Sequence, residues 1–244
     1  MLIKNSYFCN IYCKGKKIII PEKGKLKEED LVICEEGNRK VYFSIIGNNS
    51  ENPKIAIVGL SPGYSQLRTL IQLYNSGEEF KKAAELSSFK KCSKNLTKLL
   101  RYYGIDKYLG IDIPDNFDFN KNKEFFLTTS LVKCCSLKNT KGRSNAFDIL
   151  KFNCTRLCFI NVFLNEILDK KYKNLKKIII LGKNAEIAIK EKLINDKSVE
   201  DILKENKIDV IFILHPSTQN TGRINKLLAG KQKGIGNNRY WTKR

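Results

Sequence analysis

The chain has 244 residues, 42% of them hydrophobic, which is enough for one sizeable core and short for two independent domains. Its 45 Lys and Arg against 25 Asp and Glu give a formal charge of +20, an excess that costs self-repulsion and makes nucleic acid the expected polyanionic partner. With no apolar run long enough to span a bilayer, and Lys4, Asn5, Lys14, Lys16 and Lys17 where a signal peptide would carry its apolar region, the chain is expected to be soluble and cytoplasmic.

The first fifty residues carry cysteines and short Ile/Val runs without a clear period, so they read as a small appendage packed by something other than a regular core. Lys54 to Leu60 is an apolar, β-rich run stopped by Ser61-Pro62-Gly63, the pattern of a buried parallel strand. Glu78 to Ser87 and Ser93 to Tyr103 space their apolar residues by three and four, as helices do. A second strand is expected over Phe125 to Val132, a helix over Phe152 to Leu168, a third strand over Lys177 to Leu181, a helix over Asn184 to Leu193, and a fourth strand over Asp209 to Leu214. Residues 230–244 form a basic tail holding Tyr240 and Trp241. Strands alternating with helices predict an α/β fold, a three-layer αβα arrangement around a central four-stranded parallel sheet, in one domain over residues 1–244.

Open parallel sheets bind ligands beyond the carboxyl ends of their strands, and three polar clusters fall there. They are Gly59-Leu60-Ser61-Pro62-Gly63, then Ser130 with Lys133 and Cys134, and then the segment from His215 to Arg223. The three are expected to converge on one cleft. His215 is the only histidine, and Pro216 after it forces a turn that presents Ser217, Gln219, Asn220 and Arg223, all able to bond phosphate or a base edge.

Eight cysteines in a cytosolic chain argue against a disulfide framework and for a metal centre, buried apolar thiols, or both. The large Lys count has a ligand-free reading as well, since AT-rich coding enriches Lys, Asn and Ile together. A nucleotide- or sugar-phosphate enzyme of the doubly wound class is the competing functional class. Against it, the Gly59 to Gly63 loop lacks a phosphate-cradling glycine pattern, and small substrates do not need so large a positive charge.

These residues carry a resemblance. Gly59-Leu-Ser-Pro-Gly63, with Arg68-Thr69 and Ser76-Gly77-Glu78 after it, resembles the first motif of the family 5 uracil-DNA glycosylases. Thr129-Ser-Leu-Val-Lys-Cys134 is similar to their second motif, and His215-Pro-Ser-Thr-Gln-Asn-Thr-Gly-Arg223 to their closing one. Order and position agree from about residue 9 to residue 228. The pattern departs at four points. Leu60 and Ser61 stand where other branches carry a carboxylate or amide, and Glu78 aligns only with two extra residues before it. Asn220 and Arg223 are two residues closer together, and Ser130 holds a position often given to a uracil-reading Asn.

The resemblance implies a uracil-DNA glycosylase-like fold and a monofunctional DNA glycosylase. Such an enzyme hydrolyses the N-glycosidic bond of a flipped damaged or modified base: uracil, a deaminated base, or a hypermodified base of viral DNA in antiviral defence. It implies His215 and Glu78 as catalytic residues, with Gly59, Leu60, Ser61, Pro62, Gly63, Tyr64 and Ser130 around the base. Lys133, Ser217, Gln219, Asn220 and Arg223 would then grip phosphates of DNA, and the protein would act as a monomer. Backbone N–H groups near Ser61 and Gly63 would help to hold the base. Tyr64 reads equally as a core aromatic beside a turn, and Lys133 as a solvated cation. The family also carries a [4Fe–4S] cluster on four cysteines, which here implies Cys9, Cys13, Cys134 and Cys154, with Cys34 a competing ligand and zinc an alternative occupant. Cys92, Cys135 and Cys158 remain ordinary thiols. The missing motif-one carboxylate leaves a catalytically inactive DNA-binding protein of the same fold as the alternative.

Overall fold

A computed structural model describes residues 6–8, 17–48, 50, 52–89, 92–138 and 146–231. Cys9, Cys13, Tyr240 and Trp241 lie outside them. In chain order the strands of the two larger sheets are β1 (Val32–Glu36), β2 (Arg39–Tyr42), β3 (Ile55–Gly59), β4 (Phe126–Ser130), β5 (Cys135–Lys138), β6 (Lys177–Leu181) and β7 (Asp209–Ile213). The helices used below are α1 (Tyr64–Asn75), α2 (Phe80–Ser87), α3 (Ser93–Tyr102), α4 (Lys183–Lys190), α5 (Val199–Glu205) and α6 (Thr221–Leu228). The chain divides into two compact units: one takes the residues up to Asn48 with Leu60–Ser88 and Thr129–Asp169, the other Asn49–Gly59, Phe89–Thr128 and Lys170 onward.

The second unit is built on a four-stranded parallel sheet in the order β7-β6-β3-β4, the architecture that the alternating apolar runs predict. Every residue of β3 is buried, as a central parallel strand with both faces covered must be. Successive side chains alternate between faces. Ile55, Ile57, Ile179, Leu181, Ile211 and Ile213 share one apolar cluster with Leu96, Leu99 and Leu100 of α3 and Ile224 and Leu227 of α6. Ala56, Val58, Ile178 and Ile180 fill the alternate positions, fully buried, and α4 packs against β6 and α5 against β7. Phe117, Phe119 and Phe126 close one end of this core as three mutually edge-on rings, with centroids 5.1–5.7 Å apart.

The first unit corrects the expectation of an irregular N-terminal appendage. β1, β2 and β5 form an antiparallel sheet, and Ile33, Val41, Tyr42 and Leu137 from it pack with Leu67, Leu70 and Tyr74 of α1 and Phe80, Ala83 and Ala84 of α2. The apolar residues of the N-terminal segment therefore meet a regular core, one completed by a strand about a hundred residues later. The expected helix from Phe152 to Leu168 also differs in detail. Asn153–Leu157 and Leu164–Ile167 are α-helical, but Cys158–Phe163 between them is a π-helical turn. Phe159 and Phe163, four residues apart and so on one side of the helix, are both fully buried with ring centroids 5.9 Å apart. Among the described residues, no helix is long and apolar enough to cross a membrane.

Candidate active site

In the first unit, the chain leaves β3 through Leu60 and Ser61, turns at the buried Pro62, and enters α1 at Gly63. The Val132 N–H donates to the Leu60 carbonyl at 3.0 Å, so the loop after β3 and the loop after β4 are fastened together. The Gly63 N–H donates to Gln66 Oε1 at 3.0 Å and is spent inside the helix cap. The backbone donors left over at this turn are those of Tyr64 and Ser65, which the geometry of a helix start leaves without an intrahelical acceptor. Tyr64 is turned inward. Its ring packs on the apolar cluster and its hydroxyl donates to Glu28 Oε1 at 2.8 Å, which raises its pKa. Tyr64 is thus half-buried against this cluster, with its hydroxyl committed to Glu28.

Ser130 ends β4 and is 7% exposed. Behind it Lys133 is buried, with its ammonium on Thr129 Oγ1 and Glu166 Oε2 and 6.0 Å from the Phe163 ring centroid. The Thr129 hydroxyl also donates to Glu166 Oε2 at 3.0 Å. Lys133 is therefore a buried strut under the Ser130 loop, and neither of the expectations for it, a phosphate ligand or a solvated cation, describes it. Glu78 lies in the turn between α1 and α2, its N–H bonded to the Leu73 carbonyl. The twelve residues of α1 separate it from Ser61 and Gly63, about 18 Å at 1.5 Å per residue. The structure does not bring Glu78 to that loop.

In the second unit, β7 delivers His215 to a tight turn. The Ser217 N–H donates to His215 Nδ1 at 3.2 Å. A nitrogen that accepts carries no proton, so the neutral imidazole holds its proton on Nε2, facing away from the turn. Asn220 Nδ2 donates to the His215 carbonyl at 3.0 Å and to Ser217 Oγ at 3.3 Å, and the buried Asn95 donates to the Ser217 carbonyl at 3.4 Å and to Thr221 Oγ1 at 3.0 Å. Asn220 thus spends both amide protons on holding the loop in shape. Gln219 and Arg223 are exposed.

A residue that sequence reading misses sits under the imidazole. Gly182, between β6 and α4, has φ +87°, and a Cβ built there would lie 2.8 Å from His215 Cβ and 3.4 Å from Cδ2. The imidazole rests on bare backbone, and any side chain must move it. Gly182→Ala is expected to cost about 1–2 kcal/mol for the left-handed backbone and to lower activity by ~10²-fold through an ångström-scale displacement of His215. Activity loss at full occupancy of the folded state, followed by circular dichroism, separates the two effects. The signal available in the sequence is the Leu181-Gly182 step that ends a strand.

A profile of the uracil DNA glycosylase superfamily matches residues 46–234. The chain belongs to the uracil DNA glycosylase superfamily. The match spans all three strand-end clusters, and the superfamily acts on DNA. Among solved structures, the chain is similar to one from Methanosarcina acetivorans described as "Solution NMR Structure of a putative Uracil DNA glycosylase", at 14% identity and a TM-score of 0.38 over 75% of this chain and 94% of that one. No curated protein sequence matches the chain.

Of the cysteines that the iron–sulfur branch of this superfamily would use, Cys134 is buried and Cys154 packs against the same apolar cluster of the first unit, as does Cys34. Two of the four expected ligands thus share one environment, while Cys9 and Cys13 lie outside the described residues. Among the described residues alone no group of three or more metal-ligating side chains is assembled. Cys92 is different: burial pushes its thiol up to about 12, which leaves an inert apolar thiol. Cys135 is pushed up by burial as well.

Proposed function

We propose that this superfamily member is a monofunctional DNA glycosylase that removes a flipped damaged or modified base and leaves an abasic site. The observation that carries the reading is His215, an exposed residue just past β7 whose Nδ1 is held by the Ser217 N–H, so that the ring proton sits on Nε2. Cleaving the bond between C1′ and the base nitrogen sends both electrons to the base, and water then adds to C1′ and gives up a proton. Negative charge grows on a base oxygen or nitrogen, and a donor fixed in advance on that atom stabilises the transition state more than the ground state. Ser61, Pro62, Gly63 and Ser130 take the base-pocket role that the motif resemblance gives them, with the Tyr64 and Ser65 N–H groups as the donors that Gly63 no longer supplies. No carboxylate role is assigned to Glu78. Ser217 belongs with Asn220 to the scaffold of the loop, and exposed Gln219 and Arg223 are the phosphate ligands of this segment.

Small Ser61 and Ser130 side chains leave room for a base bulkier than uracil, which favours a deaminated purine or a hypermodified viral base. The test is a panel of duplex and single-stranded DNAs carrying uracil, hypoxanthine, xanthine, hydroxymethyluracil and glucosylated hydroxymethylcytosine, with alkali to cut abasic sites. Release from one substrate names the base. No release from any of them, with salt-dependent DNA binding retained, supports the inactive DNA-binding reading.

We further propose a [4Fe–4S] cluster held by Cys134 and Cys154 together with Cys9 and Cys13, with Cys34 as the replacement ligand. Bound there, the cluster would cross-link distant segments of the chain and take no part in bond cleavage. Aerobically purified protein is expected to absorb broadly near 400 nm and to contain about four iron and four sulfide per chain, and Cys134→Ser and Cys154→Ser are each expected to remove that absorbance. Zinc in place of iron, or neither metal, overturns the proposal.

A further inference from the structure

On the second unit a groove of about 370 Å³ is lined by Lys94, Asn95 and Lys98 of α3, Thr218 of the His215 loop, and Thr221 and Asn225 of α6. We propose that this groove is a DNA-backbone site that holds a phosphodiester beside the His215 loop. It rests on the glycosylase reading above and adds to it a fixed point at which the strand is gripped.

The lining is chemically of one kind. Two ammonium groups, two hydroxyls and two amides surround the space, and no carboxylate is among them. Lys94 and Lys98 are four residues apart, hence on one face of α3, and neither makes an ion pair among the described residues, although Lys190, Lys197 and Lys204 each pair with a nearby acid. Their field is felt nearby, since the Asp115 carboxyl is held below the usual carboxylate range by its hydrogen bond from Arg101, with Lys98 and Lys94 adding to that effect. The groove is also rigidly joined to the catalytic turn. Asn95, which is 8% exposed and forms part of the wall, donates to the Ser217 carbonyl and to Thr221 Oγ1, and Thr221 Oγ1 in turn donates to the Thr218 carbonyl at 2.7 Å.

A phosphate seated on Lys94 and Lys98 would therefore stand in a fixed position relative to His215. Lys, Thr and Asn side chains are the groups that grip DNA phosphates in register without reading sequence. Such a contact lowers the entropy cost of presenting the flipped nucleotide.

The test measures binding of a fluorescein-labelled undamaged duplex across a salt titration, for wild type, for Lys94→Gln/Lys98→Gln, and for Lys173→Gln/Lys176→Gln, a control that removes the same charge at the start of β6. Neutralising two phosphate contacts is expected to weaken binding about tenfold near 0.1 M salt and to reduce the slope of log K against log salt by about 2. The control pair is expected to change the slope by less than half as much. Equal changes in the two double variants would show a general charge effect and overturn the groove. Failure of the wild-type protein to bind any DNA would overturn the glycosylase reading with it, whereas strong wild-type binding that ignores Lys94 and Lys98 would sink the groove alone. Melting temperatures within a degree or two of wild type establish that the variants are folded.

Discussion

His215→Ala is expected to slow base release by ~10²-fold or more, the scale of losing one donor to a developing anion, while DNA affinity stays within about twofold. The reason lies in how the ring is held. Nδ1 is occupied by the Ser217 N–H, Asn220 ties the His215 carbonyl to the turn, and the bare backbone of Gly182 supports the ring from beneath. A donor fixed in this way needs no reorganisation when charge develops. Single-turnover rates on the substrate identified by the panel, at saturating enzyme, measure the chemical step without binding. His215→Gln, whose amide reaches roughly to the Nε2 position, should recover part of the loss, and a fall of less than threefold in the alanine variant would remove His215 from the mechanism.

The largest stability effect is expected at Arg39. This arginine is 1% exposed at the start of the central strand of the first unit's antiparallel sheet. Its Nη2 lies 2.8 Å from Asp148 Oδ2, its Nη1 donates to Ser136 Oγ at 3.0 Å, and its guanidinium carbon lies 4.9 Å from the Phe152 ring centroid. One side chain thus joins β2, β5 and the helix Ala146–Lys151. Arg39→Ala leaves the Asp148 carboxylate, 14% exposed, without its main counter-charge, and breaking a buried pair from one side costs about 3–5 kcal/mol. Thermal unfolding should show a drop of about 10 °C or more. Arg39→Lys should not recover it, because an ammonium cannot reach both partners or lie flat on the ring. The paired variant Arg39→Met/Asp148→Leu should be far more stable than Arg39→Ala, since it removes both charges together. If Arg39→Ala melts within about 2 °C of wild type, the cluster contributes no net stability.

The parallel sheet is the part of the fold most legible in the sequence. Strands buried on both faces read as unbroken apolar runs, and Lys177–Leu181 is found with the bounds that the run suggests. What escapes is structure whose cause lies far along the chain. The pairing of Val41 with Ser136 links residues 95 apart, so nothing local marks β2 as a strand. α1 escapes for another reason. Ser61-Pro62-Gly63 reads as the end of a strand and hides the helix start, although Leu67, Leu70 and Tyr74 already mark its buried stripe. At the site, the His215 turn is legible because its donors and acceptors are close neighbours in sequence. Lys133 is not, because its partner Glu166 is 33 residues away. Glu78 is misread for lack of α1: once twelve residues are wound into a helix, a carboxylate that looks near the loop in sequence stands a helix length away.

The way the two units share the chain has a consequence for synthesis. The backbone passes between them at 48/49, 59/60, 88/89, 128/129 and 169/170, five passages in all, so neither unit exists as a continuous stretch of translation product. The first unit's last segment ends at Asp169, while the second still awaits β6, β7 and the turn that carries His215. Until β7 emerges, β6 has an open edge, and its Ile178-Ile179-Ile180 core is a sticky surface on a half-made protein. A ribosome stalled before Asp209 would therefore hold a chain that is prone to associate and lacks its imidazole. On the proposed reading of His215, the hydrogen-bond donor leaves the ribosome only after every strand of the sheet that carries it has been made.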